Sequence, residues 1–208
     1  MMHPDTELRY INDVIGVGIV ATKLIPKGTI VWISDDLDMT LKKDFVESLD
    51  ETRRRVVDKY SYLSDDGDYY ILHWDHARYL NHSFHPTCID TVFEFNLAAR
   101  DIYPGEQLTC DYGIVGVDED FECVPEEGTS RTRVRADDYL YFSQEWDEMA
   151  KEAFKYFNSV KQPLKYLIKE EYAEEVKAVA EGLLPLPSIL TLFVDESEDD
   201  DDEDEDQA

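Results

Sequence analysis

The chain changes texture near residue 137, and no single secondary-structure class can accommodate both sides of that change. Before it, short apolar runs are cut by glycine and proline. Residues 8–11 and 18–21 surround Gly16-Val17-Gly18, and Pro26-Lys27-Gly28 turns the chain into the β-branched run 29–33. Residues 40–60 place Leu41, Phe45, Val46 and Leu49, then Val56 and Val57, at helical spacing among charges, which predicts one or two short helices. Asp65-Asp66-Gly67-Asp68 reads as a turn, residues 69–72 and 91–97 as strands, and Pro104-Gly105-Glu106 as a turn before residues 107–110. After Asp137-Asp138, whose acids suit a helix start, Tyr139, Phe142, Trp146, Met149, Phe154 and Phe157 recur at three- and four-residue steps. Pro163 interrupts this helix, and residues 170–180 read as another, closed by Gly182. The expected class is mainly β with α: a β-rich part over residues 1–136 and a helical extension over 137–194.

Charge narrows the partners. The 208 residues carry 48 acids against 20 bases, a net −28, and residues 195–206 hold 11 of the acids with no base. A block of like charge this long cannot bury apolar area, so residues 195–208 read as a disordered acidic tail. It either solubilises the chain or attracts a basic substrate through an attraction that salt screens. The remainder is still acidic, which argues against nucleic acid as a direct partner and for a basic protein. No apolar run approaches the roughly 18 residues of a membrane span, and the first five residues lack a signal-peptide shape. Three cysteines without a CxxC pair indicate a reducing intracellular compartment, leaving nucleus and cytoplasm open.

Taken singly, Gly16-Val17-Gly18 marks a bend, Asn81-His82-Ser83 a satisfied turn and Tyr112 a packing aromatic. Their order and spacing say more. Residues 15–22 with Ile25-Pro26-Lys27-Gly28, then Arg78-Tyr79-Leu80-Asn81-His82-Ser83, then Pro104-Gly105-Glu106-Gln107-Leu108-Thr109-Cys110-Asp111-Tyr112-Gly113, form three blocks in sequence. Over roughly residues 7–136 this pattern resembles the SET-domain family of S-adenosylmethionine-dependent protein lysine methyltransferases. The resemblance implies a β-clip fold of small curved sheets in which the segments bearing Asn81-His82-Ser83 and Asp111-Tyr112-Gly113 cross in a pseudoknot. It implies that Ile15, Gly16 and Val17 touch the cofactor through their backbone, with the bare Gly16 allowing close approach. Asn81 and His82 would bond the cofactor's amino-acid and adenine portions. Tyr112 would stand as the catalytic tyrosine where the sulfonium methyl meets the substrate amine. The substrate would be a lysine of a basic protein such as a histone.

Methyl transfer requires a neutral amine, and a lysine at its reference pKa of about 10.4 is neutral only about once in 2,500 molecules at pH 7. A dry aromatic channel lowers that pKa and orients the amine. Tyr69, Tyr70, Tyr79 and Phe93 are the channel candidates, each equally able to be ordinary core. Neither a metal nor a nucleophilic residue is required, and His82 is not a general base.

The chain departs from the family in one coherent way. Many members close the cofactor site with a zinc ion held by three cysteines after the tyrosine motif and one directly after Asn-His-Ser. Here that last position is Phe84, and residues 121–134 keep only Cys123. Cys88, Cys110 and Cys123 cannot supply four thiolates, so no structural zinc is expected. Covering the adenine would fall to Phe121 and to the helix with Tyr141, Phe142 and Trp146, unless that helix merely packs on the domain. Thr87 replaces an asparagine common in the family, and Asp90 stands near a position that is often aromatic. Two other readings remain open: a catalytically silent SET-like module binding basic proteins, and an acidic histone-binding protein with no use for cofactor.

Overall fold

The computed structural model of the chain describes residues 1–64, 67–115, 117 and 120–193; Asp65, Asp66 and the acidic run 195–206 lie outside the described residues. The first part is built from short strands. β1 (Thr6–Asn12) and β2 (Gly16–Ala21) form an antiparallel hairpin, with Gly16 in the left-handed region at φ +79°. β3 (Ile30–Ile33) and β4 (Met39–Lys42) follow, then the two short helices expected between residues 40 and 60, α1 (Lys43–Glu47) and α2 (Glu51–Tyr60). The Asp50 carboxylate caps α2 by accepting from the Arg53 N–H at 3.1 Å. β5 (Ser61–Leu63) and β6 (Tyr69–Leu72) join β4 in a sheet of order β4-β6-β5, on which Val46 and Val57 of the helices bury themselves against Leu63 and Tyr70.

β7 (Asn81–His82), β8 (Cys88–Asp90), β9 (Phe95–Ala98) and β10 (Gln107–Cys110) complete this part. β7 lies parallel to β10, pairing Asn81 with Thr109 and His82 with Cys110, while β10 pairs antiparallel with β2 on its other edge. The two motif segments, far apart in sequence, are therefore neighbours in one sheet of order β1-β2-β10-β7. Between them the chain leaves to build a second sheet, β3-β9-β8.

Residues 91–97 are not the continuous strand that their β-branched and aromatic composition predicts. Thr91 Oγ1 donates to the Phe95 carbonyl at 2.8 Å and accepts from the Phe93 N–H, and Glu94 adopts φ +56°. These local bonds compete with a ladder and turn the chain back, leaving two strands, β8 and β9, as an antiparallel hairpin.

β11 (Phe121–Glu122) and β12 (Arg133–Val134) pair with each other, and α3 (Asp138–Phe154) and α4 (Glu170–Ala180) supply the helical extension, with Gly182 at φ +71° after α4. The extension shares one core with the sheets. Ile30, Phe95 and Leu97 pack with Trp146, Phe154, Phe157 and Val176, and Phe95 and Phe157 are 0% and 1% exposed. Each aromatic buried this completely contributes about 1.5–3 kcal/mol. Gln162 fastens the junction, its amide donating to the Gly28 carbonyl at 2.7 Å and accepting from the Ile30 N–H at 2.8 Å.

Candidate active site

β10 ends beside β7, and the next residue, Asp111, accepts a hydrogen bond from the Gly113 N–H and so caps a single 3-10 turn at Tyr112–Ile114. That turn fixes Tyr112 twice. Its N–H donates to His82 Nδ1 at 3.0 Å, and its hydroxyl donates to the Leu80 carbonyl at 2.6 Å. Burial pushes the Tyr112 hydroxyl well above the ordinary tyrosine pKa, so it stays protonated at neutral pH. Burial also lowers the His82 pKa. With Nδ1 accepting, the neutral ring carries its proton on Nε2, a buried atom with no hydrogen-bond partner among the described residues. Leu80 and Asp111 enter the site through a backbone carbonyl and a cap; both stand in the quoted blocks, but neither was given a role there.

On the β2 side, the Asn81 amide donates to the Val17 carbonyl at 3.1 Å. This approach depends on Gly18, where a Cβ would lie 2.7 Å from Asn81 Nδ2 and 2.8 Å from Gln107 Oε1. A Cβ on Gly16 would meet nothing within 4 Å, so the backbone there faces open space. Ile15 and Val17 leave roughly a third of their surface exposed alongside it.

A cavity of about 1090 Å³ lies on the other side of Tyr112. Tyr112, Leu80, Phe121, Tyr62, Tyr70 and Cys110 contribute to its wall; Ile15, Gly16, Val17, Asn81 and His82 do not. Of the four channel candidates, only Tyr70 reaches it. Phe93, 2% exposed, is turned by the 91–94 bend into the main core, its ring against Phe95, Phe154 and Tyr172. Tyr79 packs edge-on to Tyr60, and Tyr69 pairs with Lys42 in the β4-β6 ladder, outside the cavity wall. Tyr60 and Tyr62, which the sequence pattern did not single out, line the cavity instead.

The segment after Tyr112 is closed by a cation. The Arg131 guanidinium lies 4.4 Å from the Phe84 ring centroid and 3.9 Å from that of Phe142, and binds the carboxylates of Asp111 and Asp138. Both carboxylates are almost fully buried, so this is a desolvated ion cluster rather than a surface pair. Glu126 adds a second tie, its carboxylate accepting from Ser83 Oγ at 2.9 Å and from the Phe84 N–H at 3.2 Å. Phe84, directly after Asn81-His82-Ser83, thus holds one face of an arginine sandwich. Among the described residues no group of His, Cys, Asp and Glu is arranged to hold a metal. Burial pushes the Cys88 thiol up to about 12 and that of Cys110 upward as well, while Cys123 is half-buried.

α3 spends its aromatic face on packing. Trp146 is buried and donates from Nε1 to Asp111 at 3.3 Å, Phe142 stacks on Arg131, and Tyr141 points to solvent. Phe121 is 37% exposed, with its ring 6.4 Å from that of Tyr112. Asp138, expected to act on the helix dipole, instead binds Arg131 and the Arg135 N–H.

A search of curated proteins returns no match. The family model described as the SET domain matches residues 16–113. The matched stretch opens at the glycine that begins β2 and ends at the glycine of the Tyr112 turn, so it contains the β2-β10-β7 arrangement and both motif segments. With that topology and the Tyr112–His82 contact, the match makes this chain a SET-domain protein.

Proposed function

We propose that the protein transfers the methyl group of S-adenosylmethionine to a lysine side chain of a basic protein, with histones as the first substrates to try. The observation that carries this reading is the double position of Tyr112, which walls the cavity while its N–H is bonded to His82 of β7. The β2 side offers what such a cofactor needs: bare backbone at Gly16, apolar Ile15 and Val17, and an unpartnered buried N–H at His82 Nε2. Ile15, Gly16, Val17, Asn81 and His82 would hold the cofactor, with Phe121 as a cover. When bound, it supplies an activated methyl for attack by a neutral amine.

The chain's own residues orient the attack. The Tyr112 hydroxyl donates its hydrogen bond to the Leu80 carbonyl, which leaves the oxygen to accept a hydrogen bond from the incoming amine and aim its lone pair. Tyr112, Tyr62 and Phe121 exclude water and favour the neutral amine over the ammonium ion. His82 is spent on holding the Tyr112 backbone and moves no proton.

Calorimetric titration with S-adenosylmethionine, followed by transfer of a labelled methyl to core histones and other basic proteins, tests the reading. Tyr112→Phe should bind cofactor normally and transfer about 10–100-fold more slowly. Undiminished transfer would remove Tyr112 from its role, and absence of cofactor binding would leave a silent SET-like module.

A further inference from the structure

One cross-strand row of the β3-β9-β8 sheet is polar where a packing surface would be apolar. Trp32 of β3 pairs with Asn96 of β9, and Asn96 pairs with Asp90 of β8. Paired residues share a face of a sheet, and all three line the cavity. Their neighbours Phe95 and Leu97 serve the main core. Asn96 is 2% exposed and Trp32 8%, yet Asn96 Oδ1 and Trp32 Nε1 have no hydrogen-bond partner among the described residues. Buried polar atoms left unpaired are uncommon in native folds and gain nothing for packing, which points to a ligand that completes them.

The surroundings state the sign of its charge. Asp35, Asp36, Asp38, Asp58, Asp90 and Glu94 line the cavity against Arg54, Lys59, Arg78 and Lys169. Lys169 is paired with Glu94 at 2.5 Å, Arg54 with Asp58 at 3.5 Å and Asp35 with the Met1 ammonium at 3.2 Å. Arg78 donates to the carbonyls of Trp74 and Asp75. Trp32 also stands edge-on to His73 at 4.9 Å, with Tyr62 beyond it at 5.4 Å. The wall therefore combines acceptors, excess acid and aromatic rings, a chemistry suited to a cation.

That cation is not the reacting amine. A carboxylate beside the target lysine would stabilise its ammonium form and slow transfer, because the amine must be neutral to attack. The cavity is also far larger than one lysine side chain fills. We infer that the Trp32–Asn96–Asp90 row is a specificity subsite for a second cationic side chain, arginine or lysine, flanking the target lysine in the substrate. Asn96 Oδ1 and Asp90 accept its N–H groups, and Trp32 Nε1 donates to a carbonyl of the same peptide.

This inference rests on the cavity being the substrate site, so binding and transfer are measured separately. Fluorescent peptides centred on one lysine, with each flanking position in turn Arg, Lys, Gln or Ala, are titrated with the full chain by anisotropy. At one position, Arg or Lys should tighten binding about tenfold over Ala and Gln. Asn96→Leu should erase that gain without lowering the melting temperature, and Asp90→Asn should erase it as well, serving if the first does not fold. A flat scan, a gain spread evenly over every position as bulk attraction would give, or a gain that survives both substitutions overturns the subsite. A positional gain without methyl transfer keeps the subsite and sinks the methyltransferase reading; transfer without a gain does the opposite.

Discussion

Gly18 shows how a residue with no functional group can govern one that has it. The Asn81 carboxamide reaches the Val17 carbonyl through space that a Cβ would occupy. The two nearest atoms in the way are the ends of the Asn81 and Gln107 side chains, with Ile11 Cγ1 next at 2.9 Å, so Gly18→Ala should fold, at a cost of about 1–2 kcal/mol. It should displace Asn81 and weaken S-adenosylmethionine binding in calorimetry by more than the stability loss suggests; unchanged affinity would show that Asn81 does not depend on this close approach. That Asn81, His82 and Tyr112 belong to strings which the fold brings together was legible in the sequence. The role of Leu80 was not, because it contributes a backbone carbonyl, which every residue possesses. Asn96 and Trp32 were equally hidden, since a strand pattern tells which residues alternate but not which face opens on a cavity.

The strand β8 and the segment between β11 and β12 mark where sequence reasoning stopped. Residues 91–97 have strand composition, yet two Thr91 side-chain bonds and one left-handed residue, Glu94, decide for a hairpin. The closing segment was legible only as a loss: Phe84 and the single Cys123 announced that the expected cysteines were gone. What replaced them could not be read, because Phe84, Asp111, Arg131, Asp138 and Phe142 converge from separate elements. Arg131→Met should leave two buried carboxylates without their cation and cost about 3–5 kcal/mol. Hydrogen exchange should rise first in residues 121–134, with Arg131→Lys intermediate because an ammonium cannot bridge both carboxylates in the same planar fork. If exchange in this segment matched the wild type, Arg131 would not be its tie.

Three histidines, the buried His3 and the half-buried His76 and His82, have pKa values that burial lowers from the ordinary 6.5. The unfolded chain takes up these protons at the ordinary value and the folded chain only at lower pH. Stability is therefore full above 6.5 and declines as pH falls below it. A melting temperature that stays level as pH is lowered through this range would contradict the burial of these rings. The arginine closure has a further consequence in chemical durability. A site held by thiolates can be dismantled by oxidants, whereas a guanidinium between two phenyl rings has nothing to oxidise. Burial raises the pKa of all three thiols, but Cys88 and Cys110 are fully enclosed, which leaves the half-buried Cys123 as the sulfhydryl within reach of peroxide. Mass spectrometry after mild peroxide treatment should find sulfenic acid at Cys123 and not at Cys88 or Cys110, with the melting temperature unchanged: a fold whose joints survive conditions that strip a metal-thiolate clasp.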